Sequence, residues 1–236
     1  MPFVENQGVK LYWDEHGAGE PLLLSSYMWH RSRPVLASRY RSIAFDNRGI
    51  GQTDVPGGVY SISSMASDAA SVLDAAGVQT AHVFGVSMGG MIAQEFALQY
   101  PDRVRSLILG CTAAGPGVVQ AEPAALQTLM RRDLAPEDAK EAIIPFLYDA
   151  ATPRDRIDED MAIRMKWYPT PQGYMGQLQG NFGWESYSRL SLITAPTLVI
   201  HGEADRLIPP ANAKPFFFVP NCRPRSRRQT RTRTRV

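Results

Sequence analysis

The sequence of 236 residues predicts an α/β fold with a doubly wound, mostly parallel sheet. Two observations lead to this prediction. Short, mainly apolar runs at residues 21–24 and 42–45 are typical of strands that are covered on both faces. Other segments, such as residues 64–76, carry apolar residues at helical spacing. Because parallel strands need crossover connections, such an alternation predicts helices on both faces of the sheet.

The individual elements can be placed in chain order. Residues 9–14 alternate apolar and polar side chains, as a half-buried strand does, and the two apolar runs supply the next strands. The helix over residues 64–76 has Gly77 as its C-cap candidate. Further strands are expected at residues 81–84, 104–110 and 196–202.

Residues 85–90, with the sequence G-V-S-M-G-G, lie between a predicted strand and a predicted helix. Glycines on both sides of Ser87 allow the backbone to fold back sharply, which leaves the serine strained and its hydroxyl exposed. The Met88 and Gly89 amides open the helix and face the place where an oxyanion would form. The pattern indicates a nucleophilic serine. The alternative is a glycine-rich turn that contains an incidental serine.

No strand-like apolar run is found between residues 115 and 192. Helical segments are expected at 124–132, 136–148 and 157–167, separated by Pro153, Pro169 and Pro171. The simplest interpretation is a helical insertion that lies over the strand ends and walls a pocket. A satellite packing unit without a role in selectivity is the alternative.

Composition limits the function classes. With 44% hydrophobic residues the chain can bury one substantial core, and no apolar run approaches the ~20 residues that span a bilayer. The N-terminus lacks a secretory pattern, so a cytoplasmic, non-membrane protein is expected. The cysteines Cys111 and Cys222 imply no disulfide framework. No metal or other cofactor is predicted.

The net charge of +2 is the sum of two segments with opposite charge. Residues 223–236 hold seven arginines and no acid, so the preceding residues carry a net charge of −5. The main body is therefore mildly acidic, and no nucleic-acid binding is expected of it.

Three motifs together resemble the α/β-hydrolase superfamily over residues 9–210. They are D-N-R-G-I-G at 46–51, the turn at 85–90 with the following M-I-A-Q, and A-P-T-L-V-I-H-G-E-A-D at 195–205. The sequence is most similar in appearance to cap-bearing bacterial esterases and lactonases of the 3-oxoadipate enol-lactonase-like group, which shades into cofactor-free haloperoxidases. The fold hosts many chemistries, so the substrate does not follow from it.

The resemblance implies roles for individual residues. Ser87 corresponds to the nucleophile, Asp205 to the acid of the catalytic triad, and the Met88 amide to one oxyanion donor. Asp46 corresponds to an aspartate that organises its turn together with Arg48, which is a structural role. The expected occupant of the site is a small ester or lactone.

Two positions at the site depart from the family pattern. The family places its catalytic histidine beyond the last strand, but all four histidines, His16, His30, His82 and His201, precede Asp205, and none matches the base by position. The loop after Leu24 lacks the usual glycines, so the second oxyanion donor is not assigned. Ser26 and Tyr27 are the nearest candidates.

The C-terminus departs as well. After Asn221 an apolar last strand is expected, but arginine and threonine alternate without a core face. The last strand is therefore expected to be truncated or altered. An out-of-frame reading, a real truncation and a functional basic arm all remain open as its origin. The abrupt loss of pattern inside an element favours the first.

The expected organisation is an α/β-hydrolase core over residues 1–114 and 193–222, a helical cap over 115–192 and a basic, disordered tail over 223–236. The expected function is hydrolysis of carboxylic esters or lactones through an acyl-enzyme on Ser87, impaired by the missing histidine. The alternatives are a non-catalytic small-ligand-binding protein of the same fold and a cofactor-free haloperoxidase-like enzyme. The oligomeric state does not follow from the sequence.

Overall fold

A computed structural model describes residues 3–24, 29–115, 119–131 and 135–227. The strands in this part of the chain are β1 (Phe3–Asn6), β2 (Val9–His16), β3 (Glu20–Leu24), β4 (Tyr40–Phe45), β5 (Ala81–Val86), β6 (Val104–Gly110), β7 (Thr197–Gly202) and β8 (Cys222–Arg227). The α-helices are α1 (Arg33–Ala37), α2 (Ile62–Ala75), α3 (Met88–Gln99), α4 (Pro123–Met130), α5 (Pro136–Leu147), α6 (Arg154–Lys166) and α7 (Pro171–Asn181). Short 3₁₀ segments occupy Pro101–Arg103, Tyr187–Leu192 and Pro210–Phe218.

The described strands form one sheet in the order β1-β2-β4-β3-β5-β6-β7-β8. The first two strands join antiparallel, and β2 pairs antiparallel with β4. From β4 to β8 every neighbouring pair is parallel. The predicted fold class, a doubly wound and mostly parallel sheet, is confirmed.

Helices cover both faces of the sheet. Buried side chains of α2 and α3, among them Met65 and Ile92, belong to the same core cluster as Val83 and Leu107 of the central strands. A second cluster contains Leu22, Leu24 and Trp29 and packs against α1. Because both faces are buried, central parallel strands such as β3 and β6 are mainly apolar rather than alternating.

Local signals explain where two helices end or begin. Gly77 has a φ of +67° and follows the end of α2, as its assignment as a C-cap candidate predicts. The helix α7 was not expected, because Pro171 was interpreted as a breaker. Pro171 is in fact the first residue of α7, where proline needs no N–H partner, and the Thr170 hydroxyl accepts from the Gly173 amide.

The C-terminal part of the sheet corrects the expectation that no ordinary strand follows Asn221. Residues 222–227 form β8, which runs parallel to β7 at the edge of the sheet. Strand pairing depends on main-chain hydrogen bonds, and an edge strand leaves one side open, so an apolar sequence is not required there. Of the basic segment 223–236, residues 228–236 lie outside the described part.

The aromatic run before β8 is only partly covered. Phe216 is fully buried, whereas Phe217 and Phe218 are each 62% exposed. An apolar surface of two large rings therefore remains beside the last strand.

The helices α4–α7 form an insertion between β6 and β7, as the sequence predicts. The insertion contacts three loops that follow carboxyl ends of strands. Arg206, after β7, forms a bidentate ion pair with Glu122 in front of α4. Gly173 of α7 lies so close to Gly49, after β4, that a Cβ atom at Gly173 would come within 2.0 Å of the Gly49 carbonyl oxygen. Arg31, after β3, pairs with Asp160 of α6.

Candidate active site

Ser87 occupies the sharp turn between β5 and α3. Its backbone has φ +55° and ψ −126°, a conformation that costs energy for a residue with a side chain. The Ser87 amide donates to the Gly110 carbonyl at the end of β6 over 3.0 Å, and the Ser87 carbonyl accepts from Gly90 at 2.8 Å. The Ser87 hydroxyl does not cap α3. It is therefore held on a strained, well-anchored turn at the carboxyl end of a central strand.

The glycines around Ser87 are required by space as well as by conformation. A Cβ atom at Gly85 would lie 2.1 Å from the Gly89 carbonyl oxygen. A Cβ atom at Gly90 would lie 2.6 Å from Cβ of Thr112. The strand before the serine and the helix after it approach each other so closely that only glycine fits.

Asp205 follows the carboxyl end of β7, so it lies at the same end of the sheet as Ser87. Its Oδ1 accepts from the amides of Leu207 at 3.0 Å and Ile208 at 2.8 Å. Its side chain is 15% exposed. These two hydrogen bonds from backbone amides hold Oδ1 and so fix the carboxylate. The other oxygen, Oδ2, takes no part in them.

Cys111 lies between these two residues in the sheet and was not singled out as a site residue by the sequence. It follows β6 with a φ of +42°, and its amide donates to the Ile200 carbonyl of β7 at 2.9 Å. Burial raises the pKa of the Cys111 thiol, and the negative charge of the nearby Asp205 carboxylate raises it further. The sequence signal was available, because Cys111 closes the strand that separates Ser87 from Asp205.

Three of the four histidines have other tasks. His16 is 61% exposed and lies 3.6 Å from Asp14. His82 bonds Ser106 and Glu20, and it lies at the amino end of β5. His201 is buried, and its Nε2 donates to the Ile208 carbonyl at 2.7 Å. The distance of 3.8 Å between His201 Nε2 and Asp205 Oδ2 is too long for a hydrogen bond.

His30 differs from the other three, because it joins the core to the helical insertion. Its Nε2 lies 2.9 Å from Oδ1 of Asp160 in α6. Its Nδ1 is buried and has no hydrogen-bond partner, a property that it shares with Nδ1 of His201. In the described residues, no histidine is hydrogen-bonded to Ser87 or to Asp205.

Asp46 has a structural role in its turn, as the resemblance implies. Its Oδ2 accepts from the Gln52 amide at 2.9 Å, and burial raises the pKa of this carboxyl group. Arg48 does not pair with Asp46. It forms a bidentate ion pair with Asp68 of α2, with both bonds at 2.7 Å. Asp46 and Arg48 therefore both stabilise this region, but each does so through its own partner rather than through the other.

The oxyanion donors are only partly defined. Met88 is the first residue of α3, and amides in the first turn of a helix lack partners inside it. Its N–H stays the predicted first donor. The candidates for the second donor, Ser26 and Tyr27, lie outside the described residues.

The described residues give no sign of a metal centre or a membrane span. They contain no group of three or more histidine, cysteine or acidic side chains that could hold a metal ion. None of the described helices combines the length and apolarity needed to cross a bilayer.

A cavity of about 800 Å³ lies at the opposite end of the sheet, where the strands begin. Its lining includes Ser106, Thr197 and Cys222, which stand at or near the amino ends of β6, β7 and β8. Ligands of open α/β sheets bind at the carboxyl ends, so this cavity is separate from the site around Ser87.

The fold and this arrangement define a class of protein. Residues 15–221 match the sequence model of the alpha/beta hydrolase fold family, so the chain belongs to that family and is an α/β-hydrolase. The resemblance inferred from the three motifs is thereby confirmed.

Named relatives fit this membership. A protein of Azorhizobium caulinodans that bears the provisional name carbamate hydrolase RutD is 35% identical over an alignment 221 residues long, which covers 89% of this chain and 82% of the relative. The 3-oxoadipate enol-lactonase 2 of Acinetobacter baylyi is 29% identical over 75% of this chain and 66% of its own length. A thermophilic esterase from Thermogutta terrifontis has a similar structure, with a TM-score of 0.80 and 28% identity over 96% of this chain and 88% of that one.

Proposed function

We propose that the protein is a serine hydrolase of carboxylic esters or lactones, with Ser87 as the nucleophile that becomes acylated. The observation that carries the proposal is the Ser87 turn, with its φ of +55°. It lies at the carboxyl ends of the strands, as does the fixed Asp205 carboxylate. The names of the relatives, an enol-lactonase and an esterase among them, support the substrate class. The helical insertion acts as a cap that walls the substrate pocket.

The reaction follows from these positions. Ser87 Oγ attacks the carbonyl carbon of the ester as a base removes its proton. The carbonyl oxygen becomes an oxyanion that accepts from the Met88 amide, and the alcohol leaves with the proton. Water then attacks the acyl-enzyme in the same way and releases the acid. Asp205 occupies the position of the acid that orients a histidine base in this family.

The same geometry supports weak rather than full activity. No described histidine is hydrogen-bonded to Asp205, so the family's usual base is missing from its place. A serine hydroxyl without its base retains only the rate supplied by binding and the oxyanion hole. We expect hydrolysis of p-nitrophenyl esters that is slow or undetectable, and any activity present is lost in Ser87→Ala.

A fluorophosphonate probe tests the nucleophile directly. We expect a single adduct on the peptide that contains Ser87, no adduct in Ser87→Ala, and an unchanged adduct in the control Ser188→Ala. Folded protein that stays unlabelled at Ser87 would contradict the proposal.

A second candidate is a non-catalytic protein that binds a small apolar ligand, which the lack of a histidine beside Asp205 favours. Calorimetric titration with an acyl analogue, such as a long-chain methyl ketone, tests it. Binding combined with no probe adduct on Ser87 supports this candidate, whereas a Ser87 adduct that forms with turnover contradicts it.

A further inference from the structure

Thr112 bonds the elbow, which is the turn over residues 85–90, from a neighbouring part of the chain. Its hydroxyl donates to the Ser87 carbonyl oxygen over 2.8 Å. The same oxygen accepts from the amides of Gly90 at 2.8 Å and Met91 at 3.2 Å, which belong to the start of α3. The Ser87 carbonyl therefore has these three donors, and one of them is a side chain from outside the helix.

The position of Thr112 is fixed by the sheet. The strand β6 is the direct neighbour of β5, and Gly110 stands opposite Val86 in their register. Two residues after Gly110, the Thr112 side chain packs against the start of α3, where a Cβ atom at Gly90 would lie 2.6 Å from Cβ of Thr112. Thr112 is 1% exposed, so water has little access to its hydroxyl.

The hydrogen bond at the Ser87 carbonyl also acts on the Met88 amide. The Ser87 C=O and the Met88 N–H belong to one peptide unit, which is planar and trans, so the two groups point in opposite directions. A donor that fixes the direction of this carbonyl therefore fixes the direction of the N–H as well. That N–H is the predicted first donor to the oxyanion.

The first turn of α3 holds this peptide less firmly than an ordinary helix would. Ser87 is in a strained conformation, with φ +55° and ψ −126°. Gly89 and Gly90 follow Met88, and glycine combines the greatest backbone freedom with a low helix propensity. The bond from Thr112, which is anchored next to β6, adds a restraint that the helix itself does not supply.

The bond has an electronic effect in addition to the geometric one. Hydrogen bonds in a chain polarise one another, so a carbonyl that accepts a bond makes the N–H of the same peptide a stronger donor. Oxyanion stabilisation depends on dipoles that are already aimed at the place where charge develops. The Thr112 hydroxyl therefore favours a Met88 N–H that is both aimed and polarised before the reaction begins.

We propose that Thr112 is a positioning residue for the oxyanion hole, and that its hydroxyl aims the Met88 N–H through the peptide between Ser87 and Met88. This inference rests on the proposed function. Thr112 transfers no proton and forms no bond to the substrate. Its contribution arises in the transition state, because the negative charge that the Met88 N–H stabilises develops only there.

Saturation kinetics of a fluorophosphonate probe on the full chain test this role. When Ser87 Oγ loses its proton and bonds to phosphorus, fluoride leaves, and negative charge develops on the phosphoryl oxygen as it does on the carbonyl oxygen of an ester. Thr112→Val removes the hydroxyl, but the Ser87 carbonyl keeps its two amide donors, so no buried acceptor is left without a partner. We expect the maximal labelling rate to fall about tenfold, which is less than the roughly 10²-fold to 10³-fold loss when a whole oxyanion donor is removed. The half-saturating probe concentration should stay close to the wild-type value, because binding in the ground state is unchanged.

Three further variants separate the hydroxyl from packing. Thr112→Ser keeps the hydroxyl but loses a methyl group, and we expect a maximal rate close to that of the wild type. A packing role predicts the opposite order, because valine preserves the branched shape and serine does not. Thr112→Ala, which lacks the hydroxyl and places no methyl group at the carbonyl, should be about as slow as Thr112→Val. Thr197→Val is the matched control, since Thr197 is also buried and donates to a backbone carbonyl, that of Ala195, at the amino end of β7.

Two comparisons decide the role of Thr112. If the wild type is labelled at Ser87 and Thr112→Val keeps its maximal rate within twofold, the inference is wrong while the serine proposal stands. A Thr112→Ser variant that is as slow as Thr112→Val, or slower, would assign the residue to packing and would also overturn the inference. If folded wild-type protein is not labelled at Ser87 at all, the serine proposal is wrong and the inference about Thr112 fails with it.

Discussion

The thiol of Cys111 lies close to the carboxylate of Asp205, whose negative charge adds to burial in raising the pKa of the thiol. The two residues follow the adjacent strands β6 and β7, and the Cys111 amide is tied to the Ile200 carbonyl. The Oδ1 atom of this carboxylate is held by hydrogen bonds from two backbone amides, those of Leu207 and Ile208. The orientation of Asp205 is thus set by its neighbours and does not depend on a histidine.

This contact predicts a slow thiol. Burial raises the pKa of Cys111 first, and the negative charge of Asp205 raises it further, so the reactive thiolate is scarce near neutral pH. In a Cys222→Ser background, iodoacetamide at pH 8 is expected to alkylate the native protein more slowly than the urea-unfolded chain. The alkylation rate falls about tenfold for each unit by which the pKa of the thiol is raised.

The partner residue provides the matched comparison. Asp205→Asn in the same background removes the charge, and we expect alkylation of Cys111 to become faster than with Asp205 present. An equal or slower rate in Asp205→Asn would show that the thiol does not sense this carboxylate.

The elbow predicts a steric limit at Gly85. A methyl group there would lie 2.1 Å from a backbone oxygen of Gly89, which cannot move without opening the turn. We expect Gly85→Ala to lower the free energy of unfolding by about 3 kcal/mol, at the upper end of the cost of overpacking. Gly57→Ala is the control, since a Cβ atom at Gly57 meets nothing within 4 Å. Urea unfolding compares the two, and equal midpoints would contradict the tight elbow.

Much of the fold could be predicted because its signals are local. The strand at residues 104–110 was placed from its apolar run alone, and the Ser87 turn from its glycines. The helix α7 was missed because Pro171 can either break or begin a helix, and the capping bond from Gly173 to Thr170 that decides between them is visible only in three dimensions.

The site was less predictable because its contacts join distant parts of the chain. His30 and Asp160 are 130 residues apart, and neither belongs to one of the motifs that carry the family resemblance. The same holds for Arg48, whose partner Asp68 lies on a different element from the turn that it was expected to organise. The strand β8 was missed because side-chain pattern says little about an edge strand that is held by its backbone.

A polar cluster around Glu95 predicts a large effect on stability. The carboxylate lies on α3, is almost fully buried and accepts from Trp184 Nε1 at 2.9 Å and from Arg189 Nη2 at 2.9 Å. Glu95→Ala leaves both donors without their partner, and we expect a loss of about 2 kcal/mol in the free energy of unfolding. Glu137→Ala, at a carboxylate that is 74% exposed, is the control and should stay within about 0.5 kcal/mol of the wild type.

The same carboxylate predicts a specific dependence of stability on pH. Burial acts to raise the pKa of Glu95, but the hydrogen bonds from Arg189, Gln99 and Trp184 outweigh it, so the native pKa is lowered. A carboxylate with a lowered native pKa adds stability that is fully present above the pKa of the unfolded state, near 4.3. This contribution is lost as the pH falls through the native value. The difference in Tm between the wild type and Glu95→Gln should therefore be constant from pH 7 to about pH 5 and shrink below about pH 4. Calorimetry across this range measures it, and a difference that grows toward acid pH would mean that the Glu95 pKa is raised in the folded protein.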